Sequence, residues 1–231
     1  MSNQNEVGDA KSLASEKPPL RTTTVEVQRH FLQPTRLMPN SPHPVLHYRN
    51  FLSRASERTA AHAHELFAGH GWQTQWIFRY GPTQKSHYHS AAHECMAVLS
   101  GSATIRLGAA DMPDGDGHED GAVEIDAHAG DIFVLPAGTA HKTFNTMPAA
   151  ATQLLTPGDA HGVAADDVRG ALANVQLSGF TMLGAYPEGS CWDWSGGGDH
   201  ADNYQKVWAV PRPAKDPVVG LSPEGICGLW D

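Results

Sequence analysis

Gly81-Pro-Thr-Gln-Lys-Ser-His87-Tyr-His89-Ser-Ala-Ala-His93-Glu94 is the stretch whose reading decides the fold. His87 and His89 are two apart. On a β-strand, side chains at i and i+2 share a face, so both imidazoles point the same way. Residues 90–93 are small enough, His93 apart, to turn the chain, and Glu94 opens the next strand close to the two histidines. Two neutral imidazoles and a carboxylate form a facial ligand set that leaves metal positions open. A second stretch, Gly130-Asp-Ile-Phe-Val-Leu-Pro136-Ala-Gly138-Thr-Ala-His141-Lys-Thr-Phe-Asn145, pairs an apolar strand with a tight Pro-x-Gly turn. His141 follows that turn and is placed to supply a fourth ligand from across a barrel.

The texture around these stretches is β. Short apolar runs separated by turns are expected as strands over 73–80, 94–99, 102–107, 122–127, 131–135, 140–147 and 180–186. Ser102 to Leu107 alternates, with Ala103, Ile105 and Leu107 on one face. With 23 glycines, 16 prolines and 40% hydrophobic residues, an all-β chain with one good core is expected. The periodicity predicts one helix over 53–68, with Thr59, Ala63, Leu66 and Phe67 on one face and Gly69 as its stop. His62 and His64 on it are expected to be exposed. Residues 1–24 are polar and expected to be disordered. Residues 25–49 read as an extended arm with a short strand at Val45–Tyr48. Residues 149–178 read as an inserted loop with a helical turn near 164–172, and the tail to Asp231 as an extended wrap. The domain proper spans 25–231, with a core barrel over 72–187.

Composition narrows the partners. The net charge is −9, and no stretch concentrates Lys and Arg, so neither nucleic acid nor an anionic membrane is an expected partner. The acidic run Asp111–Asp120 lacks the spacing and closing Glu of an EF-hand and reads as a solvated loop. Cys95, Cys191 and Cys227 are scattered and odd in number, which suits a reducing compartment. No apolar signal core opens the chain, and a cytoplasmic location is the expectation.

The two stretches resemble the two cupin motifs. Gly81, His87, His89, Glu94 and Gly101 match every position of the first; Gly130, Pro136, Gly138, His141 and Asn145 match every position of the second. His87-Tyr-His-Ser-Ala-Ala-His-Glu94, Val134-Leu-Pro-Ala-Gly-Thr-Ala-His141 and Gly184-Ala-Tyr-Pro-Glu-Gly189 are also similar to the YjlB-type single-domain cupins, as are Pro44–Tyr48 and Gly71-Trp72. The likeness covers roughly residues 38–230. It implies a jelly-roll β-barrel with one N-terminal helix and extended arms. It also implies one divalent transition metal ion (Fe, Mn, Ni, Cu, Co or Zn) held by His87, His89, Glu94 and His141. An unusually bent turn would instead let His93 replace Glu94.

The function implied is a metal-dependent enzyme acting on a small organic substrate, with an oxygenase-like oxidoreductase (dioxygenase-type) favoured and Glu94 doubling as proton shuttle. An isomerase or decarboxylase/lyase is the alternative, and a non-catalytic metal- or ligand-binding cupin is the rival of another class. Tyr80 and Tyr88 are expected in the barrel wall. Trp192 and Trp194 either line a substrate mouth or pack the C-terminal arm. The other histidines, His47 among them, read as ordinary. A homodimer is expected, because extended arms such as 25–48 often cover a neighbour's sheet edge.

Overall fold

The computed structural model describes residues 25–113 and 117–230. The expected disorder of residues 1–24 and the middle of the acidic run lie outside the described residues. The strands are β1 (Val27–His30), β2 (Val45–Tyr48), β3 (Trp72–Tyr80), β4 (Glu94–Ser100), β5 (Ser102–Leu107), β6 (Val123–His128), β7 (Ile132–Leu135), β8 (His141–Met147), β9 (Gln153–Leu154) and β10 (Phe180–Pro187). They form a seven-stranded sheet in the order β1-β2-β7-β4-β10-β3-β9 and a three-stranded sheet in the order β6-β5-β8. The pairings between these strands are antiparallel. The expected all-β jelly roll is the fold found.

Strand alternation divides the apolar residues between two cores. On β4, Cys95, Ala97 and Leu99 face outward with Leu46 and Tyr48 of β2. The intervening Met96 and Val98 face the three-stranded sheet, where they meet Ala103, Ile105 and Leu107. Glu94 falls on this inner face by the same parity, which puts a carboxylate inside the barrel. The outer face is covered by Ala60, Ala63 and Phe67 of the helix α1 (Ala60–Ala68) and by Val218, Ile226 and Trp230 of the C-terminal segment. Burying side chains of this size contributes about 1.5–3 kcal/mol each.

Three expectations about helices change. The first helix begins at Ala60, not near residue 53, because the Thr59 side chain accepts the His62 amide and closes the N-terminus there. On it, His62 is exposed, whereas His64 is half-buried with Nδ1 on the Thr74 hydroxyl. The inserted segment carries α2 (Val168–Ala173), which packs on α1. The C-terminal tail is not simply extended: it holds α3 (Tyr204–Trp208) and α4 (Ile226–Leu229), short turns that its prolines flank rather than interrupt. The tail is anchored by Asp216, whose carboxylate takes the Tyr48 hydroxyl and the amides of Val218, Val219 and Ile226. The acidic run is not wholly solvated either, since Asp111 holds Lys142 at 2.7 Å and accepts the Ser86 amide. Among the described residues, no helix is long and apolar enough to cross a membrane.

Candidate metal centre

His87 and His141 are brought face to face by main-chain pairing. The His87 amide donates to the His141 carbonyl at 3.1 Å, and the His141 amide returns the bond at 2.8 Å. The turn before His141 depends on Gly138, at φ 86°, a left-handed conformation that other residues adopt with strain. Its amide reaches back to the His89 carbonyl at 2.8 Å, locking the second motif onto the first. All three imidazoles are buried, and among the described residues they are the one group of three such side chains whose ligand atoms all lie within 4.8 Å of one another.

Each ring is fixed through its Nδ1. His87 Nδ1 meets the Lys85 carbonyl at 3.1 Å, His141 Nδ1 the Thr139 carbonyl at 3.1 Å, and His89 Nδ1 the Asp193 carbonyl. A carbonyl only accepts, so each Nδ1 carries the proton and each Nε2 keeps its lone pair. His89 Nε2 lies 3.1 Å from Glu94 Oε1, and His141 Nε2 lies 3.3 Å from Glu94 Oε2. Glu94 Oε2 is buried with no hydrogen-bond partner. Converging lone pairs beside an unsatisfied carboxylate oxygen repel one another unless a cation sits among them. The donor set therefore fits a divalent metal, and the carbonyl behind each ring is the outer support that metal-binding histidines characteristically have.

Electrostatics keep Glu94, His87 and His141 in their ligating forms. Burial alone would raise the Glu94 carboxyl, but the facing His89 and His141 rings outweigh it and hold it at about 2. Burial lowers the pKa of His87 and His141, with the neighbouring imidazoles adding to the effect. Burial also acts to lower His89, yet Glu94 reverses the sign and leaves it raised.

His93 is buried but does not join the group. Its Nδ1 accepts the Ala137 amide at 3.0 Å, and its Nε2 faces the Pro211 carbonyl at 3.1 Å. Tyr88, expected in the barrel wall, is fully buried but does not line the cavity. The parity that turns His87 and His89 inward turns Tyr88 outward, against Met38 and Ala140, with its hydroxyl on His200. Tyr80 does line the cavity.

Above the imidazoles lies a cavity of about 230 Å³. Trp192 and Trp194 line it and also pack against His161 and His87. The C-terminal segment is stitched to the His-x-His strand by the reciprocal Tyr88–Ser195 main-chain bonds and by the Asp193 carboxylate, which accepts the Ser90 and Ala91 amides. This lays the Trp194 ring on His87, at 3.6 Å between centroids and 5° from parallel. The inserted segment closes the other side: Trp192 Nε1 donates to the Ala160 carbonyl, and its ring stacks on His161.

Sequence reasoning missed Tyr186, Trp76 and Asp193. The Tyr186 hydroxyl donates to Glu94 Oε1 and accepts the Trp76 indole N–H at 3.0 Å. Gly184 makes this possible, since a Cβ there would lie 2.1 Å from the Trp76 ring. The available signal was parity on β10, which turns Met182 and Tyr186 to the inner core.

A sequence-family model of the cupin domain matches residues 75–158. The uncharacterized protein YjlB of Bacillus subtilis (strain 168) is 27% identical over 211 residues, covering 89% of this chain and 97% of that protein. Among solved structures, the formate complex of Lactobacillus farciminis oxalate decarboxylase is 15% identical with a TM-score of 0.30, over 59% of this chain and 33% of that one. An 11S globulin from Wrightia tinctoria is 12% identical with a TM-score of 0.28, over 52% and 22%. This chain thus spans a third or less of the length of those two solved chains. With both motifs complete and the barrel in place, residues 75–158 match the cupin domain, and the chain as a whole is similar to YjlB.

Proposed function

We propose that His87, His89, His141 and Glu94 hold one divalent transition metal ion, and that the chain is an enzyme acting on a small organic molecule, with oxygenase-type oxidoreduction favoured. One observation carries this reading: the converging donors form the floor of a cavity rather than a closed cage. Structural metal sites are filled by protein ligands, whereas catalytic sites keep a position open. When bound, such an ion would supply Lewis-acid polarisation and, if redox-active, oxygen activation.

The chain's own residues then do the following. The three carbonyl-anchored imidazoles fix the floor. Glu94 Oε2, the oxygen without a hydrogen-bond partner, serves as the fourth ligand. The Tyr186 hydroxyl donates to Glu94 Oε1 and orients the carboxylate; for Glu94 to double as proton shuttle, Oε1 exchanges that hydrogen bond for one to the bound molecule. Trp192 and Trp194 shield the floor from bulk water. An isomerase or lyase uses the same floor to polarise a carbonyl, and a non-catalytic binder uses it only to hold a ligand.

The test is oxygen uptake by iron-, nickel-, copper- and manganese-loaded protein given an enolisable diketone. Uptake in step with diketone loss supports the oxygenase. Loss without uptake favours the isomerase or lyase, and neither favours a binder. The edge strand β1 and the neighbouring Phe31, which is 63% exposed, support a homodimer. Light scattering at about 25 kDa alone would contradict it.

A further inference from the structure

The walls of the cavity restrict what it can hold more sharply than the floor does. We propose that its ligand is a small planar oxygen chelator bearing a single negative charge, an enolate or phenolate with a neighbouring oxygen, and that compact dianions are rejected. This rests on the metal-centre reading above.

The first argument is charge. Among the described residues, Glu94 is the one acidic residue in the lining and no Lys or Arg lines the cavity; Lys85, between Gln84 and His87, is exposed. The basic side chains of the adjoining strands are engaged elsewhere: Arg79 with the Ala151 carbonyl and Gln153, Lys142 with Asp111, and Arg106 with Glu124. The three floor imidazoles are neutral when ligating. A divalent ion with Glu94 leaves one net positive charge on the floor. A monoanion cancels it. A dianion leaves an uncompensated negative charge among aromatic rings, which is costly to bury.

The second argument is shape. Trp76, Phe78 and Tyr80 stand on one strand, and Trp192 and Trp194 come from the C-terminal segment, so aromatic rings line the cavity from two directions. Aromatic walls select flat ligands by stacking. At about 230 Å³ the space lies below the ~300–1,000 Å³ of sites for drug-sized molecules, so the occupant is small. Gln84 and Tyr80 bring an amide and a hydroxyl to the same lining, able to meet a ring substituent.

The experiment uses the full chain with its metal content measured first. Tropolone (planar, monoanionic), acetohydroxamate (monoanionic, without a ring) and oxalate (dianionic) are titrated, and binding is read by calorimetry and tryptophan fluorescence. Relative to their affinities for the free ion, the order expected is tropolone, acetohydroxamate, oxalate. Trp194→Ala should cut the preference for tropolone over acetohydroxamate by about five- to tenfold, compared at equal metal occupancy. Gln84→Arg should raise oxalate affinity at least about tenfold by adding the missing cation. Full metal occupancy with oxalate bound as tightly as tropolone, and no response to Gln84→Arg, would overturn the ligand class while leaving the metal centre standing. A chain that takes up no metal would overturn both.

Discussion

The protein buries histidines beside a carboxylate in two places, and builds them in opposite ways. On the cavity floor, every Nδ1 is tied to a carbonyl, the Nε2 atoms converge, and Glu94 keeps one oxygen free. At the far side of the large sheet, His47 lies 3.4 Å from Asp131, with His30 beyond it at 5.9 Å between ring centroids. There the Asp131 oxygens are already taken by the Asn50 and His128 amides, at 2.7 and 3.0 Å. Neither nitrogen of His47 has a hydrogen-bond partner, and its ring stacks on Phe133 at 4.2 Å. Burial and a nearby carboxylate do not make a metal centre. Outer anchors that aim the lone pairs, and an oxygen left unsatisfied, set the candidate metal centre apart from the His47 cluster.

The largest effect expected from this contrast is on metal affinity. His87→Ala and His141→Ala should each weaken binding at least about a thousandfold while the barrel still folds, because the apolar cores do not involve these rings. Wild-type protein should melt higher with metal than without, by the equivalent of about 4 kcal/mol at a thousandfold excess over Kd. The variants should show no such shift in a thermal melt.

Acid should weaken the floor with a slope of one proton. Glu94 stays ionised down to about 2, and burial holds His87 and His141 neutral below the usual imidazole range. His89, shifted upward, is the ring that protonates first. As pH falls through its raised pKa, protons compete with metal at that one ring. Affinity should drop about tenfold per pH unit once the pH falls below that raised value, and the metal's contribution to stability by about 1.4 kcal/mol per unit. A titration of metal affinity between pH 5 and 7 with a slope of three would mean that all three rings titrate together.

A smaller loss is expected from Tyr186→Phe. It removes the donor to Glu94 Oε1 but no ligand, so metal affinity should fall about 10–100-fold, measured by competition with a chelator. Smallest of all, His47→Phe should change metal affinity by less than about twofold. It removes two ring nitrogens without a hydrogen bond and one 3.4 Å contact to Asp131, whose oxygens keep two amide donors, so stability should change by less than about 1 kcal/mol, read by urea denaturation.

Much of the floor was legible in the sequence because it is local. Two-residue parity aims His87 and His89 together, and the Pro136-x-Gly138 turn returns His141 to them. What supports the floor is not local. Tyr186 reaches Glu94 across 92 positions, Trp76 reaches Tyr186 across 110, and Asp193 braces His89 across 104. Such contacts depend on which strands become neighbours in the sheet, and no spacing in the sequence encodes that. The late start of α1 has a different cause: Ser53 to Arg58 carry no apolar stripe to bury, and Thr59 caps the helix where the backbone donors are satisfied. His47 was legible as a residue without motif, though not as a second buried histidine beside an acid.

The most direct test of the contrast is the metal content of tag-free protein by elemental analysis, in wild type, in the His87→Ala/His141→Ala double variant and in the His30→Ala/His47→Ala double variant. The account predicts close to one divalent ion per chain in wild type and in the His30/His47 variant, and close to none in the His87/His141 variant. Retention of metal when His87 and His141 are gone, or its loss when only His30 and His47 are, would contradict it.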